Sequence, residues 1–469
     1  MRRFLGSVLL FAGIVFAQNK NPFLKQKLYV NPTFFSDIES TIKGATNSLE
    51  IQHLKIAQNA PSAYWLDVKS KVRLDSSELS TMNGIMADAN RRTPVAMTTF
   101  IVYDLPNRDC NARASNGEIC CTVDPQTKRC NYLAAGDCSV AIQDYKTNYI
   151  DNIVAILQKY PKVPVALVIE PDSLPNLVTN LGNPACSNLA TQNAYKQGIS
   201  YAVAQIAQKT PWVAMYLDAG HGGWLGWDNN LVGFQTLVNS LNILSSLRGF
   251  ATNVANYQPI GKICPSARWC LPVNNKQSDL CCSDPCRLTT QWNSAVNELN
   301  YVQLLDTIFP LKNYIIDTGR NAVGSARQDC ANWCNPRNTG MGQFPTTETN
   351  SSGLVDAFLW LKTPGESDGC TQILPDSTAC PRFDSMCASQ DSIGSSAGEP
   401  RAPEAGRWFD YQIRMLARNA NFGKVDLSIV SMPTTTPETT PPTTPPTVPV
   451  APVAPPKGLK CEVCSISFS

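Results

Sequence analysis

Between roughly Asn21 and Val430, short apolar runs rich in Val, Ile and aromatic residues alternate with longer segments of helical period. Six runs have the character of buried strands: MTTFIVYD ending at Asp104, VALVIEPD at Asp172, VAMYLDAG at Gly220, ATNVANY at Tyr257, NYIIDTG at Gly319 and LVDAFLWL at Leu361. Branched and aromatic side chains of this kind fit a pleated, covered surface. From Tyr145 to Tyr160 the apolar residues fall at 149, 150, 153, 154, 156, 157 and 160, which is the spacing of one helix face. Similar helices are predicted over Asn193–Gln208, Leu231–Leu247 and Glu404–Arg418. Strand followed by helix, repeated, predicts an α/β fold with a parallel sheet under helices, either a barrel or a doubly wound sheet. Nearly every strand candidate ends in a cluster of Asp, His, Arg or Lys, and a barrel gathers its site from many loops at one face in this way. No GxGxxG or GxxxxGK[ST] follows a strand, which disfavours nucleotide binding.

The two ends read differently from the body. At the start, Arg2 and Arg3 precede an apolar run from Phe4 to Phe16 and a small residue at Ala17, the layout of a secretion signal over 1–17. The run is shorter than the roughly 20 residues a membrane-crossing helix needs. The body, 18–431, is expected to be one catalytic domain. After it, Pro and Thr dominate, predicting an extended linker over 432–457. A tail at 458–469 carries Cys461 and Cys464 and is too short to fold alone; it is either a truncated module or a remnant of one.

Composition narrows the partners. Charged residues are 16 % of the chain and the net charge is +2, so there is no electrostatic footprint for nucleic acid or an acidic membrane surface, and a neutral substrate fits better. The 18 Cys, many in loop-like stretches such as CCTVDPQTKRC, read as disulfides in an oxidising compartment. With two His and no paired CxxC knuckles, no metal site is expected. The chain is expected to act as a monomer without a cofactor. Asn350-Ser351-Ser352 is an N-glycosylation sequon.

Asp109, Asp172 and Asp368 stand at strand ends beside residues that would fix their charge. Cleaving a glycosidic bond needs one carboxyl held protonated for the leaving oxygen and a second group that handles water across the sugar. An ionised Asp109 near Asp172 would supply the first condition by repelling the second charge, helped by burial.

The strings around these residues resemble glycoside hydrolase family six, the cellobiohydrolase II group, over nearly the whole body. YDLPNRDCNARASNGE from Tyr103, VIEPDSLPNLVTNLG from Val168, YLDAGHGGWLGW from Tyr216, ATNVANY from Ala251, WCNPRNTGMG from Trp333 and LVDAFLWLKTPGESDG from Leu354 match in the family's order. The resemblance implies a distorted, seven-stranded β/α barrel whose loops cover a groove or tunnel for one cellulose strand, and hydrolysis with inversion. It implies Asp172 as the general acid, Asp109 as the partner that raises its pKa, Tyr103 as the group that distorts the sugar, and Ser115 as a holder of the attacking water. Asp368 matches the base position, where it is either the base or a structural charge, with Arg320 as its ion-pair partner and Lys362 and Glu366 beside it. Asp218 and His221 match positions that bind sugar hydroxyls or support the acid, and Asp67 and Asn253 complete the expected substrate-binding set. Trp65, Trp224, Trp227 and Trp333 match sugar platforms, the middle two in what reads as a Gly-rich loop. Cys110 with Cys186 and Cys334 with Cys387 match two disulfides that staple loops.

Three features depart from the family's pattern. The Cys-rich stretches 119–138 and 264–286 are long, and the first, just after Asp109, is expected to reshape the roof of the site. Thr318 stands where DQGR is more common. The long segment Thr363–Arg407 matches the tunnel-closing loop of exo-acting members and favours release of cellobiose from the non-reducing end of cellulose. An endo-β-1,4-glucanase and a non-catalytic cellulose-binding protein are the alternatives.

Overall fold

A run such as Val165–Ile169, VALVI, has no polar face, so it is satisfied only in a sheet covered on both sides. The computed structural model describes residues 20–434, and in it this run is the third of seven parallel strands, buried at every position. The strands are Tyr64–Leu66, Thr98–Val102, Val165–Ile169, Ala214–Asp218, Gly249–Thr252, Asn313–Asp317 and Val355–Leu359, each paired with the next in chain order. Ser62 pairs with Trp360 across the remaining gap, and the Ala63 N–H donates to the Trp360 carbonyl at 2.8 Å. That seam closes the sheet into a distorted barrel. Along each strand the side chains alternate. Ile101, Ala166, Val168, Tyr216, Ala251, Ile315, Ala357 and Leu359 share the inner cluster, while Phe100, Val102, Leu167, Ile169, Leu217, Phe250 and Ile316 pack outward under the helices. The register aligns Val102 with Ile169, Ile169 with Leu217, Asp218 with Ala251 and Asp317 with Leu359, so the C-terminal ends of the strands form one rim.

The strand ATNVANY begins earlier than its sequence pattern suggests, at Gly249, and ends at Thr252 because Asn253 and Ala255 take left-handed φ values of 60° and 58°. The first strand, Tyr64–Leu66, is too short to show a period. The helix expected at Leu231–Leu247 runs instead over Asp228–Ser240, and Asn242, with φ 53°, turns the chain after it. The one expected at Glu404–Arg418 starts only at Asp410, since Gly406 with φ 79° holds the preceding segment in another shape. Tyr145–Tyr160 is the C-terminal part of a longer helical stretch that starts at Ser139 and ends at Lys159, with Tyr160 as its cap. Asn193–Gln208 lies within the helix Leu189–Lys209, whose Asn188 cap accepts from the Ala190 N–H. Helices at Pro32–Gly44, Ser48–Ala57, Met82–Asn90 and Glu298–Ile308 add to these, the first capped by the Asn31 side chain with Pro32 following.

The two ends of the body meet. Leu28–Tyr29 pairs in parallel with Val430–Ser431, and Leu28 also bridges to Met97 just below the second barrel strand. The expected signal at 1–17, the linker from 435 to 457 and the tail at 458–469 lie outside the described residues.

Trp360 is fully buried at the seam, its ring 6.2 Å from Phe34 and Phe344 and 6.1 Å from Phe422, and its indole N–H donates to the Gln343 carbonyl. Trp360→Ala should destabilise the fold by about 3–5 kcal/mol. Equilibrium denaturant unfolding checks this, and a loss below about 1 kcal/mol would show that the seam does not depend on the ring.

Candidate active site

A cavity of about 1280 Å³ lies over the C-terminal rim of the barrel. Tyr103, Asp109, Ser115 and Asp172 all line it, brought there by the turns that follow the second and third strands. Both aspartates sit in left-handed backbone, with φ 59° at Asp109 and 63° at Asp172. Such conformations are costly for residues other than glycine and concentrate at functional sites. Burial pushes the Asp172 carboxyl up to about 7. Burial also pushes Asp109 well above the ordinary carboxylate range; the Asp172 charge adds to this and the Arg108 guanidinium opposes it. Burial, rather than the repulsion expected from the sequence, is therefore the first reason Asp172 keeps its proton.

Arg108 organises this side of the cavity. Its Nε donates to the Ser115 carbonyl at 2.9 Å and its Nη1 to the carbonyls of Asp67 and Tyr103 at 2.6 and 2.5 Å, while the guanidinium lies 4.4 Å from the Tyr103 ring centre. One cation thus holds three lining residues in register. Asp67 lines the cavity and pairs with Lys71 at 2.6 Å; burial alone would raise its pKa, but Lys71 and Arg108 outweigh burial and hold it low. Below these residues, Glu170 accepts from the Tyr145 hydroxyl at 2.7 Å and from the backbone N–H groups of Asp104 and Leu105. It ties the end of the third strand to the loop that carries Asp109.

Asp368 also lines the cavity, with both carboxylate oxygens engaged. Its Oδ1 accepts from Arg320 Nη1 at 2.7 Å, and its Oδ2 from the Tyr257 hydroxyl at 2.5 Å and the Asn335 N–H at 2.9 Å. Lys362 and Glu366 also line the cavity, paired at 3.0 Å. Three residues of the expected substrate-binding set do not line it, although Arg320 is the ion-pair partner of Asp368 that the resemblance implies and Asp218 takes the second of its two expected places, supporting Asp172. Arg320 is buried behind Asp368 and donates to the Ala255 carbonyl. Asn253 is fully buried, its amide donating to the Asp317 carbonyl at 2.8 Å and its Oδ1 accepting from Gln258, so it joins two strand ends. Asp218 is buried beside Asp172, and its Oδ2 accepts the Asp172 N–H at 3.0 Å and the Gly220 N–H at 3.2 Å. Each supports the wall from behind, a distinction that depends on side-chain direction. His221 does line the cavity; burial and then the Arg327 charge push it down to about 3, so it is neutral.

Trp65, Trp224, Trp227 and Trp333 all line the cavity. Three have their indole N–H fixed: Trp65 on the Leu361 carbonyl, Trp224 on the Thr179 hydroxyl and Trp227 on the Gln291 carbonyl, at 2.9, 2.7 and 3.0 Å. Trp224 lies in a helical turn, Gly222–Leu225, and Trp227 immediately precedes the Asp228–Ser240 helix, so this string is not the loop its glycines suggest.

Two segments that contribute lining residues, one around Asn111 and Ser115 and one around Arg382, bond to each other. The Arg113 N–H donates to Asp384 Oδ2 at 2.8 Å, and Arg382 Nη1 donates to the Asn116 carbonyl at 3.2 Å. Cys110 is bonded to Cys186 and Cys334 to Cys387, one at each of these segments. The remaining bridges are 120–130, 121–138, 264–281, 270–282, 286–330 and 370–380, which leave no free Cys among the described residues. The stretch 119–138 contributes nothing to the cavity wall; its Tyr132 hydroxyl instead donates to the Arg108 carbonyl and props the Asp109 loop from outside. The second stretch does reach the site: its last residues, Pro285 and Cys286, line the cavity, as do Arg287 next to it and Cys330, to which Cys286 is bonded. Thr318 is also explained: its hydroxyl is buried and donates to the Gln343 carbonyl at 2.7 Å.

The sequence model of glycosyl hydrolases family 6 matches residues 23–420, which is nearly the whole described body. The chain belongs to glycosyl hydrolase family 6. This family 6 chain is 39 % identical over 414 residues to 1,4-beta-D-glucan cellobiohydrolase C of Emericella nidulans, covering 86 % of itself and 78 % of that protein. It is 36 % identical over 411 residues to exoglucanase 3 of Agaricus bisporus, with 86 % and 79 % covered. Among solved structures it resembles the catalytic core domain of the cellobiohydrolase Cel6A from Chaetomium thermophilum, at 32 % identity and TM-score 0.67, covering 86 % of this chain and 99 % of that one. Cellobiohydrolase II (Cel6A) from Humicola insolens, in complex with glucose and cellotetraose, matches at 30 % identity and TM-score 0.67 with the same coverage.

Sequence reasoning about this family 6 chain missed Arg108, Glu170 and Glu298. The first two stand inside quoted strings, beside Asp109 and Asp172, where an adjacent charge was the available signal. Glu298 gave none; it opens a helix, is fully buried, and accepts the Gly222 N–H at 2.9 Å.

Burial pushes Asp172, Glu170 and Glu298 up to about 7 and Asp317 up to about 6. Unfolded carboxyls release their protons near pH 4. Between about 4 and 7 these four carboxyls hold more protons folded than unfolded, an excess that the neutral His221 offsets only in part, so their contribution to stability falls as pH rises through that window. The thermal midpoint should be lower at pH 8 than at pH 5; a higher midpoint at pH 8 would contradict these buried protons.

Proposed function

We propose that the chain is a secreted cellobiohydrolase that cuts β-1,4-glucosidic bonds of cellulose with inversion, releasing cellobiose from the non-reducing end. The observation that carries this reading is a cavity covered by mutually bonded segments, with Asp109 and Asp172 together in its wall. A covered cavity threads a chain end, whereas an open groove admits the middle of a polymer. The names of the relatives, cellobiohydrolase and exoglucanase, agree with the exo reading over an endoglucanase. Eight disulfides among the described residues support folding in an oxidising compartment.

In this reading Asp172 gives its proton to the glycosidic oxygen as the bond from that oxygen to the anomeric carbon breaks. Water forms the new bond from the opposite face and releases a proton, and Asp172 is recharged from solvent. Tyr103, packed edge-on to Trp65 at 5.1 Å, crowds the ring at the cleavage point, and Ser115 holds the water. Asp368 serves as a fixed charge: its oxygens already accept from Arg320, Tyr257 and Asn335, leaving it poorly placed to take a proton from water.

Asp172→Asn should lower turnover on cello-oligosaccharides by about 10²–10⁴-fold while oligosaccharide binding persists. Unchanged turnover excludes Asp172 as the acid, and a fast viscosity drop in soluble glucan with little cellobiose would favour endo action. Because the acid form of Asp172 is needed and is lost above about pH 7, kcat/KM should fall as pH rises through 7. A rate still climbing at pH 8 would contradict this assignment.

A further inference from the structure

Gln291, Trp292 and Asn293 are consecutive residues with three different surroundings. Gln291 lines the cavity, and its carbonyl accepts the Trp227 indole N–H at 3.0 Å. Asn293 is fully buried; its side-chain amide donates to the Gly222 carbonyl at 2.9 Å and its Oδ1 accepts from the Ala295 N–H at 2.8 Å. Between them, Trp292 is 60 % exposed and sits in left-handed backbone with φ 63°. Its N–H closes a tight turn on the Thr289 carbonyl at 3.1 Å.

The frame around Trp292 is rigid. A Cβ added at Gly226 would lie 2.5 Å from Asn293 Oδ1, and one at Gly222 would lie 2.7 Å from the Ala295 carbonyl oxygen. The glycines of GGWLGW therefore let the segment 293–295 lie directly against the turn that carries Trp224. The Cys286–Cys330 bridge, whose two residues both line the cavity, fastens the same insert a few residues upstream. A large aromatic residue is disfavoured in left-handed backbone, where glycine or asparagine is at ease. Indole rings are usually largely buried, yet no hydrogen bond or ring contact holds this one among the described residues. An exposed, strained aromatic side chain on a fixed frame, next in sequence to a residue of the cavity wall, is what a stacking surface for a ligand requires.

We infer that Trp292 is a glucan-binding platform outside the Trp227 end of the cavity, stacking on the pyranose face of the β-1,4-glucan chain where that chain continues beyond the covered part. The ligand class follows from continuity with the cavity: a neutral polymer lying against Trp227 extends past Gln291 toward the next exposed ring. The inference rests on the glucan reading proposed above for the same cavity.

The test uses the full chain with Trp292→Ala and Trp292→Phe. Trp292→Ala should lower kcat/KM on cellohexaose and longer glucan roughly fivefold, equivalent to about 1 kcal/mol, with a clearly smaller loss on cellotetraose. Trp292→Phe should restore most of the difference. An equal loss on both lengths would mean that Trp292 merely supports the fold, and no loss on long chains would remove the platform; either result overturns the proposal. Binding of cellohexaose, measured by calorimetry on the Asp172→Asn chain so that no turnover occurs, is weakened by adding Trp292→Ala if the platform exists. This readout separates the two readings: cellohexaose binding without hydrolysis by the unmodified chain would defeat the proposed activity, while the Trp292→Ala comparison would still decide the platform.

Discussion

A carboxyl group removed from water holds its proton to higher pH, and the chemistry proposed for this protein depends on that constraint. The parallel barrel creates the condition. Its strand ends are aligned in one rim, so the residues immediately after them converge where helices and loops already exclude solvent. Asp172 and Asp218 are stacked there through a backbone hydrogen bond, with Asp109 across from them in the cavity wall and Glu170 behind. Elsewhere in the wall, Asp368 is held in place by three donors, Arg320, Tyr257 and the Asn335 N–H.

The strands were legible because they are buried on both faces, which makes runs such as VALVI and NYIID continuous and apolar. Tyr64–Leu66 was not, since three residues show no period, although it carries Trp65 and leads into Asp67. The long helices were found, but their ends were misjudged where a single left-handed residue, Asn242 or Gly406, redirected the chain. Such a turn leaves hardly any trace in a hydrophobic pattern.

For the site, the motif strings located the aspartates and tryptophans that line the cavity, and no rule of periodicity alone would have done so. Which polar residues face the cavity and which brace it from behind was not legible: Asp218, Asn253 and Arg320 belong to the same strings as lining residues, yet their side chains point into the protein. Arg108 illustrates the converse. It reads as an ordinary charge beside Asp109, but it is the node at which the carbonyls of Asp67, Tyr103 and Ser115 meet. The pairing of the additional cysteines likewise required three dimensions, because neighbours such as Cys281 and Cys282 bond to different partners.

The short pairing of Leu28–Tyr29 with Val430–Ser431 brings the two ends of the body together beside Met97, at the foot of the second barrel strand. The catalytic rim is at the other end of strands that are five residues long, roughly 17 Å away at about 3.3 Å per residue. For protein engineering this makes the C-terminal edge a forgiving attachment point: a reporter or affinity handle joined there leaves the glucan's path unobstructed. The same geometry favours circular permutation, since a brief peptide bridging the old ends would leave the sugar-handling side untouched.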